Sequence, residues 1–88
     1  MYVIIVYDIN VERVSCVYKF FLKYLYWVQN SVFEGNLREK EFAEIILYLK
    51  KHIKDKDNVL IYKISGGKKQ IEKVVLGKEK SHLSNILE

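Results

Sequence analysis

Residues 2–8 read YVIIVYD, an apolar run that continues without a break to Tyr7 and ends at Asp8. A short run rich in Val and Ile and bounded by a polar residue is typical of a β-strand buried on both faces. We therefore predict a strand over residues 2–7 in the interior of a sheet. Such a strand needs cover on its faces, and the rest of the chain has to supply it.

Two amphipathic helices are predicted after this strand. Asn10 is a good N-cap, and apolar residues recur at helical spacing from Val11 to about residue 25. Asn36 and Glu39 resemble a capping box, and a second apolar stripe runs from there to Ile53. Lysine and glutamate side chains occupy the opposite face of each helix.

Three further strands are predicted, over residues 27–34, 59–64 and 71–76, with Ser65, Gly66 and Gly67 forming the last turn. Two arrangements are compatible with this pattern. The elements follow the order β, α, β, α, β, β, or residues 26–37 hold two short strands around a turn and give the usual ferredoxin-like order. In both cases the predicted fold class is α+β, a ferredoxin-like sandwich with an antiparallel sheet and two helices on one face.

The 88 residues are enough for one domain and too few for two. Half of them are hydrophobic, which is sufficient for one core. We place the domain at residues 1–77 and assign residues 78–88 to a C-terminal segment that contacts a partner subunit. Cys16 is the only cysteine, which excludes an intrachain disulfide and a thiolate metal site. With no secretory or membrane-spanning segment in the pattern, we expect a soluble cytoplasmic protein.

A homodimer is predicted from the first strand. Val3, Ile5 and Tyr7 lie on one side of this strand, and Tyr2, Ile4 and Val6 lie on the other. Because both helices of such a fold cover the same sheet face, the second face needs a cover of its own. A second copy of the chain joined across the open sheet face would supply it. The alternative is that the C-terminal segment folds back over this face.

The net charge of +4 favours a polyanionic partner. The lysines of the chain concentrate at the end of the second helix and in the last quarter of the sequence. Lys50 and Lys51, at the helix end, are candidate nucleic-acid contacts. A solvated lysine surface is the alternative interpretation. His52 and His82 are expected to be surface residues.

Asp8 is the candidate catalytic and metal-binding residue, because α/β proteins commonly place functional groups where a central strand ends. One carboxylate is little support for Mg²⁺, but two Asp8 side chains near a dimer axis would supply a pair. A metal held between them would activate water against a phosphodiester. The alternative role for Asp8 is structural, in the turn before the helix.

Three more residues complete the predicted site. Arg13 is expected to hold phosphate or to form a surface ion pair with Glu12 or Glu39. Ser31 is a candidate catalytic residue that would orient the attacking water. Phe33 would stack on a base or pack in the core.

The strand end Val6-Tyr7-Asp8, the helical pair Arg13-Val14 and the segment QNSVFEG at residues 29–35 resemble the small CRISPR adaptation protein of the Cas-two family. The similarity runs over nearly the whole chain. It implies a ferredoxin-like homodimer with an exchanged C-terminal strand, which bridges the CRISPR integrase, holds prespacer DNA and acts in spacer acquisition. It also implies a metal-dependent endonuclease activity in which Asp8 binds Mg²⁺ across the dimer interface.

One position departs from the family pattern. Many members carry Arg two residues before the Gln, where this chain has Trp27, so a phosphate contact is lost or replaced by a stacking side chain.

From the resemblance, the hypothesis is a dimeric CRISPR adaptation protein with endonuclease activity on RNA or DNA. The alternatives are a non-catalytic scaffold of the integrase complex, a toxin-type ribonuclease, and an RNA-recognition module, which the strand over residues 59–64 fits poorly.

Overall fold

The computed structural model describes residues 1–66 and 70–77. Two helices and five strands make up this part of the chain, and none of its helices is long and apolar enough to cross a membrane. In chain order they are β1 (Tyr2–Asp8), α1 (Val11–Phe21), β2 (Tyr26–Gln29), β3 (Val32–Asn36), α2 (Glu39–His52), β4 (Asn58–Ser65) and β5 (Gln70–Gly77). The predicted C-terminal segment 78–88, including His82, lies outside the described residues.

The sheet has the strand order β2-β3-β1-β4-β5, and every neighbouring pair is antiparallel. The first six elements therefore follow the ferredoxin-like order β, α, β, β, α, β, and β5 is added at the edge beside β4. This confirms the predicted fold class and selects the second of the two arrangements. The strand β5 pairs with β4 of its own chain, with Asn58 opposite Gly77.

A turn at residues 30 and 31 divides the segment that the sequence pattern predicts as one strand. Asn30 has a φ of 45°, in the left-handed region that Asn tolerates better than most residues. The chain reverses there, and Gln29 then pairs with Val32. A single strand over residues 27–34 is therefore wrong.

The first helix begins as predicted but ends earlier. The Asn10 side chain accepts a hydrogen bond from the Glu12 N–H at 2.9 Å, which caps the start of α1. The regular helix ends at Phe21, where a tight turn follows and the Tyr24 N–H donates to the Phe21 carbonyl at 3.0 Å. Leu25 still lies in the core, which explains why the apolar spacing continues to that residue.

The second helix begins two residues later than a capping box at Asn36 and Glu39 implies. Asn36 is the last residue of β3 and pairs with Tyr2, so it is unable to cap α2. Arg38 is the N-cap residue, and its N–H donates to the Glu41 carboxylate at 2.9 Å. The predicted box is therefore wrong in its position, although the apolar stripe of the helix is as expected.

Both helices cover one face of the sheet. Alternate residues of β1, with their neighbours on β3 and β4, are at most 5% exposed and form a single core with the helices. This core contains Val3, Ile5, Tyr7, Phe33, Val59, Ile61, Val17, Phe21, Ile45 and Leu49.

The opposite side of the sheet has no cover within the described chain, so β1 is buried on one face and not on two. By strand alternation and register, apolar side chains from β1, β3, β4 and β5 lie together there. We call this surface the open face; it comprises Ile4, Val6, Val32, Leu60, Tyr62, Ile64 and Val75, each half-buried.

Candidate active site

Asp8 is the last residue of β1, the central strand of the sheet. It follows Ile4 and Val6 in the strand alternation, which places it at the end of the open face, and its register partner is Asn58. The start of α1 and the end of α2 lie at this same end of the sheet, because α1 follows the end of β1 and α2 precedes the start of β4. Asp8 is exposed and is thus accessible to a ligand from that side.

An ion pair lies beside Asp8 and joins the start of α1 to the α2–β4 loop. Arg13 donates to both carboxylate oxygens of Asp57, from Nε to Oδ2 at 2.8 Å and from Nη2 to Oδ1 at 2.9 Å. The Asp57 carboxylate is only 1% exposed, and the Arg13 side chain is 22% exposed. Bidentate contacts of this kind fix the relative orientation of the two side chains and also pair their charges.

Two backbone N–H groups complete the surroundings of Asp57. The Asn10 N–H donates to Oδ1 and the Lys54 N–H donates to Oδ2, each at 2.9 Å. Each carboxylate oxygen therefore accepts two hydrogen bonds. The side-chain hydrogen bonds from Arg13 are the largest cause that lowers the pKa of Asp57 to about 2, and the two backbone donors add to it against the opposing effect of burial.

Of the two roles predicted for Arg13, the geometry supports the ion pair. The principal partner of Arg13 is Asp57, which was not among the predicted acids, and Glu12 lies at a longer 4.0 Å. The same hydrogen bond to Asp57 raises the pKa of Arg13. Sequence reasoning missed Asp57, since nothing in the local pattern relates positions 13 and 57, which are 44 residues apart.

Ser31 lies beside the end of β1, close to Asp8, but its side chain is on the opposite side of the sheet from the Asp8 side chain. Its carbonyl accepts the Tyr7 N–H at 3.1 Å, and its hydroxyl interacts with the Tyr7 phenol on the helix side of the sheet. Burial is the main cause of the raised pKa of Tyr7, and the Ser31 contact opposes it. Within one chain, the geometry therefore does not bring the Ser31 hydroxyl and the Asp8 carboxylate to the same side of the sheet.

Phe33 is fully buried and contacts other aromatic rings. Its ring centroid lies 5.2 Å from that of Phe21, 5.5 Å from Tyr18 and 6.1 Å from Tyr7. No face of the ring is open to a nucleic-acid base. Of the two predicted roles for Phe33, the geometry supports packing.

Lys50 and Lys51 lie in the last turn of α2 and are exposed. His52 follows them, also exposed as expected, with its ring stacked on Tyr48 at a centroid distance of 4.0 Å. The topology places these lysines at the Asp8 end of the sheet.

The described residues of a single chain do not hold a complete metal site. Within residues 1–66 and 70–77, no three His, Cys, Asp or Glu side chains come together. Mg²⁺ keeps several water ligands and is often held by only one or two protein carboxylates. An exposed strand-end carboxylate such as Asp8 fits that requirement only with a second carboxylate or with substrate phosphate.

Comparison with known proteins gives a consistent result over nearly the whole chain. Residues 1–74 match the model of the family described as CRISPR associated protein Cas2. A protein of Methanosarcina acetivorans named CRISPR-associated endoribonuclease Cas2 is 45% identical over 87 residues, which is 99% of this chain and 100% of the relative. A protein of the same name from Thermococcus kodakarensis is 44% identical over 88 residues, with 99% and 100% coverage.

A solved structure is also similar. The chain titled "Crystal structure of cas2" is 48% identical, has a TM-score of 0.73, and the match covers 92% of this chain and 91% of that one. The sequence and the fold thus point to the same group of proteins.

Proposed function

Because this chain belongs to the Cas2 family of CRISPR-associated proteins, we propose that it is a homodimeric endonuclease that binds nucleic acid and cleaves phosphodiester bonds through Asp8. The relatives named above are called endoribonucleases, which makes RNA the first substrate to test. The family assignment favours this role over that of a toxin-type ribonuclease.

The position of Asp8 at the end of the open face carries the proposal. A contiguous apolar surface without cover is rare on a soluble monomer and commonly marks an interface. A two-fold interface uses the same patch on both subunits, so an interface through the open face would bring two copies of Asp8 into one assembly. The pair of carboxylates that one chain lacks would then be present.

The chemistry follows from this pairing. Asp8 carboxylates that held Mg²⁺ would gain from it a lowered pKa for water and neutralisation of charge on the phosphate. Asp8 would hold the ion, and Lys50 and Lys51 would attract the phosphate backbone toward the same end of the sheet. Arg13 would act indirectly, since Asp57 already engages its guanidinium.

A scaffold role in spacer acquisition is the second candidate. It is favoured by the exposed lysines and by the single carboxylate at the strand end, since bridging the CRISPR integrase and gripping DNA needs no catalysis. The C-terminal segment 78–88 would then tie the two subunits together. In this case Asp8→Asn would leave spacer acquisition intact.

Cleavage assays with purified protein test the proposal. Wild type, Asp8→Asn and the control Glu12→Gln are incubated with single-stranded RNA and with duplex DNA, with and without Mg²⁺. Glu12 is a matched control because it is an exposed carboxylate at the same end of the sheet. We expect Mg²⁺-dependent cleavage that Asp8→Asn abolishes and Glu12→Gln retains.

Two results would contradict the proposal. Cleavage that survives Asp8→Asn would remove Asp8 from the reaction. An absence of cleavage by wild type on both substrates, with spacer acquisition unaffected by Asp8→Asn, would establish the scaffold role.

A further inference from the structure

We propose that Asp57 is a positioning residue for Asp8, a role that rests on the proposed function of Asp8 in cleavage. The Asp57 carboxylate holds the chain on both sides of Asp8, so that the strand end keeps one geometry. This assigns a part in the reaction to a residue that lies outside the predicted site and does not itself contact the nucleic acid.

The first restraint acts on the segment after Asp8. The Asn10 N–H donates to Asp57 Oδ1 at 2.9 Å, two residues beyond Asp8. Between them, the Ile9 side chain is buried in the core at 8% exposure. The loop that leaves β1 is thus fixed by a polar contact and by an apolar anchor, and little freedom remains for Asp8 between them.

The second restraint acts on the neighbouring strand. Asn58, the residue directly after Asp57, is the register partner of Asp8 in the pairing of β1 with β4. The Lys54 N–H donates to Asp57 Oδ2, and the Asp57 N–H donates back to the Lys54 carbonyl at 2.8 Å, which closes the turn before β4. Asp57 therefore determines where β4 begins beside Asp8.

The hydrogen-bond pattern requires a carboxylate and not an amide. Both oxygens of Asp57 accept two hydrogen bonds, one from Arg13 and one from a backbone N–H. An Asn side chain has one acceptor oxygen and one NH₂ donor group. In Asp57→Asn the NH₂ group would face two donors, so one backbone restraint, from Asn10 or from Lys54, and one Arg13 contact are lost whichever way the amide is turned.

Positioning of this kind has a kinetic signature. A displacement of about 1 Å in a reacting group can cost on the order of 100-fold in rate. In the proposed function the exposed Lys50 and Lys51 attract the substrate, whereas the Asp57 side chain is only 1% exposed. We therefore expect a loss in kcat with little change in KM.

The experiment compares Asp57→Asn with the control Glu41→Gln. Glu41 is a matched control, because it also accepts a backbone N–H and an arginine side chain, but at the opposite end of the sheet. Folding is checked by circular dichroism, kcat and KM are measured with single-stranded RNA and Mg²⁺, and amide hydrogen exchange is measured by NMR. If Asp57→Asn does not fold, Arg13→Lys replaces it, because this variant keeps the positive charge and loses the bidentate contact.

For Asp57→Asn we expect kcat to fall by about tenfold or more while KM stays within about twofold. Exchange at the Asn10 amide or at the Lys54 amide accelerates, according to which contact the Asn side chain loses, and the Asp8 amide resonance shifts, while the Ile5 and Ile61 amides keep their protection. Glu41→Gln changes none of these quantities. Arg13→Lys shows the same pattern with a smaller loss in kcat.

Other results would overturn the inference. A folded Asp57→Asn protein with wild-type kcat, or with unchanged exchange at both the Asn10 and the Lys54 amides, would show that Asp57 does not position the strand end. A rise in KM without a fall in kcat would assign the region to substrate binding. If wild type does not cleave RNA at all, the proposed function fails, and the Asn10, Lys54 and Asp8 amides decide whether Asp57 holds this loop.

Discussion

Gly77, the last residue of β5, lies directly against the main-chain carbonyl of Asp57. Its φ of 84° is in the left-handed region, and a Cβ atom at this position would clash with the Asp57 carbonyl oxygen. Gly77 is also the register partner of Asn58, so the end of β5 closes on the start of β4. The loop that carries Asp57 thus depends on a residue with no side chain that lies much later in the sequence.

Gly77→Ala should therefore destabilise the protein strongly. We expect a loss of about 3 kcal/mol or more in the free energy of unfolding, from the left-handed backbone together with the clash. Gly66→Ala is the control, since Gly66 has a similar φ of 74° but a Cβ atom added there would meet no other atom within 4 Å. Urea unfolding at neutral pH measures both, and equal losses for the two variants would contradict the role of the close approach.

Acid should weaken the fold through Asp57. The pKa of Asp57 is about 2 in the folded protein against 3.8 as the ordinary value, so folding favours the charged carboxylate. Its contribution is present above the unfolded pKa and is lost as the pH falls toward the folded pKa, a change of about 2 kcal/mol. The difference in unfolding free energy between wild type and Asp57→Asn should narrow by about this amount between neutral pH and pH 2.

Glu41→Gln serves as the comparison in the acid series. The pKa of Glu41 is also lowered, first by a backbone hydrogen bond from Arg38, but this pair is more exposed than Arg13 and Asp57. We expect a smaller change for this variant. If the difference in unfolding free energy between wild type and Asp57→Asn did not change with pH, the Asp57 side chain would contribute through its shape and not through its charge.

Phe33→Leu should affect stability and not RNA binding. The buried ring contacts Tyr7, Tyr18 and Phe21, and the smaller side chain should lower the unfolding free energy by about 1–2 kcal/mol. The KM for RNA should stay unchanged, whereas a Lys50→Gln, Lys51→Gln double variant should raise it in a salt-dependent way. A rise in KM for Phe33→Leu in a fully folded sample would restore base stacking as its role.

Ile4→Asp should separate the proposed dimer. Ile4 is central on the open face, where its register partners are Glu34 and Tyr62. A buried unpaired carboxylate at a two-fold interface would disfavour association, so the variant should sediment at the chain mass of 10.5 kDa. Leu47→Asp is the control, because Leu47 is 68% exposed on α2, away from the open face. Wild type that sediments as a monomer at micromolar concentration would contradict the dimer.

Trp27 offers a direct optical test of nucleic-acid stacking. It is the only tryptophan, is 49% exposed, and its indole N–H donates to the Asn30 carbonyl at 2.9 Å, which fixes the ring. If this ring replaces the arginine contact of other family members, RNA should quench its fluorescence and Trp27→Ala should weaken binding by about 1–3 kcal/mol. Tyr26→Ala, at the exposed neighbouring position, is the control. Unchanged fluorescence at saturating RNA would exclude stacking on Trp27.

Local sequence patterns were sufficient for most of the secondary structure. The apolar run of β1, the Asn10 cap and the helical stripes of α1 and α2 each depend on residues a few positions apart, so they could be predicted without coordinates. The position of Asp8 at the end of the first strand could be predicted in the same way, and its catalytic role stays a prediction. The sequence alone therefore determined the α+β class, the resemblance to a family and the residue most worth testing.

Only the tertiary structure decided how these parts combine. The reversal at Asn30 divided one predicted strand into two, and pairing with Tyr2 took Asn36 away from the helix it was expected to cap. The Arg13 contact with Asp57 joins two segments that are 44 residues apart. Such contacts form because the sheet brings distant segments to the same end, and no local periodicity encodes which charge will meet which.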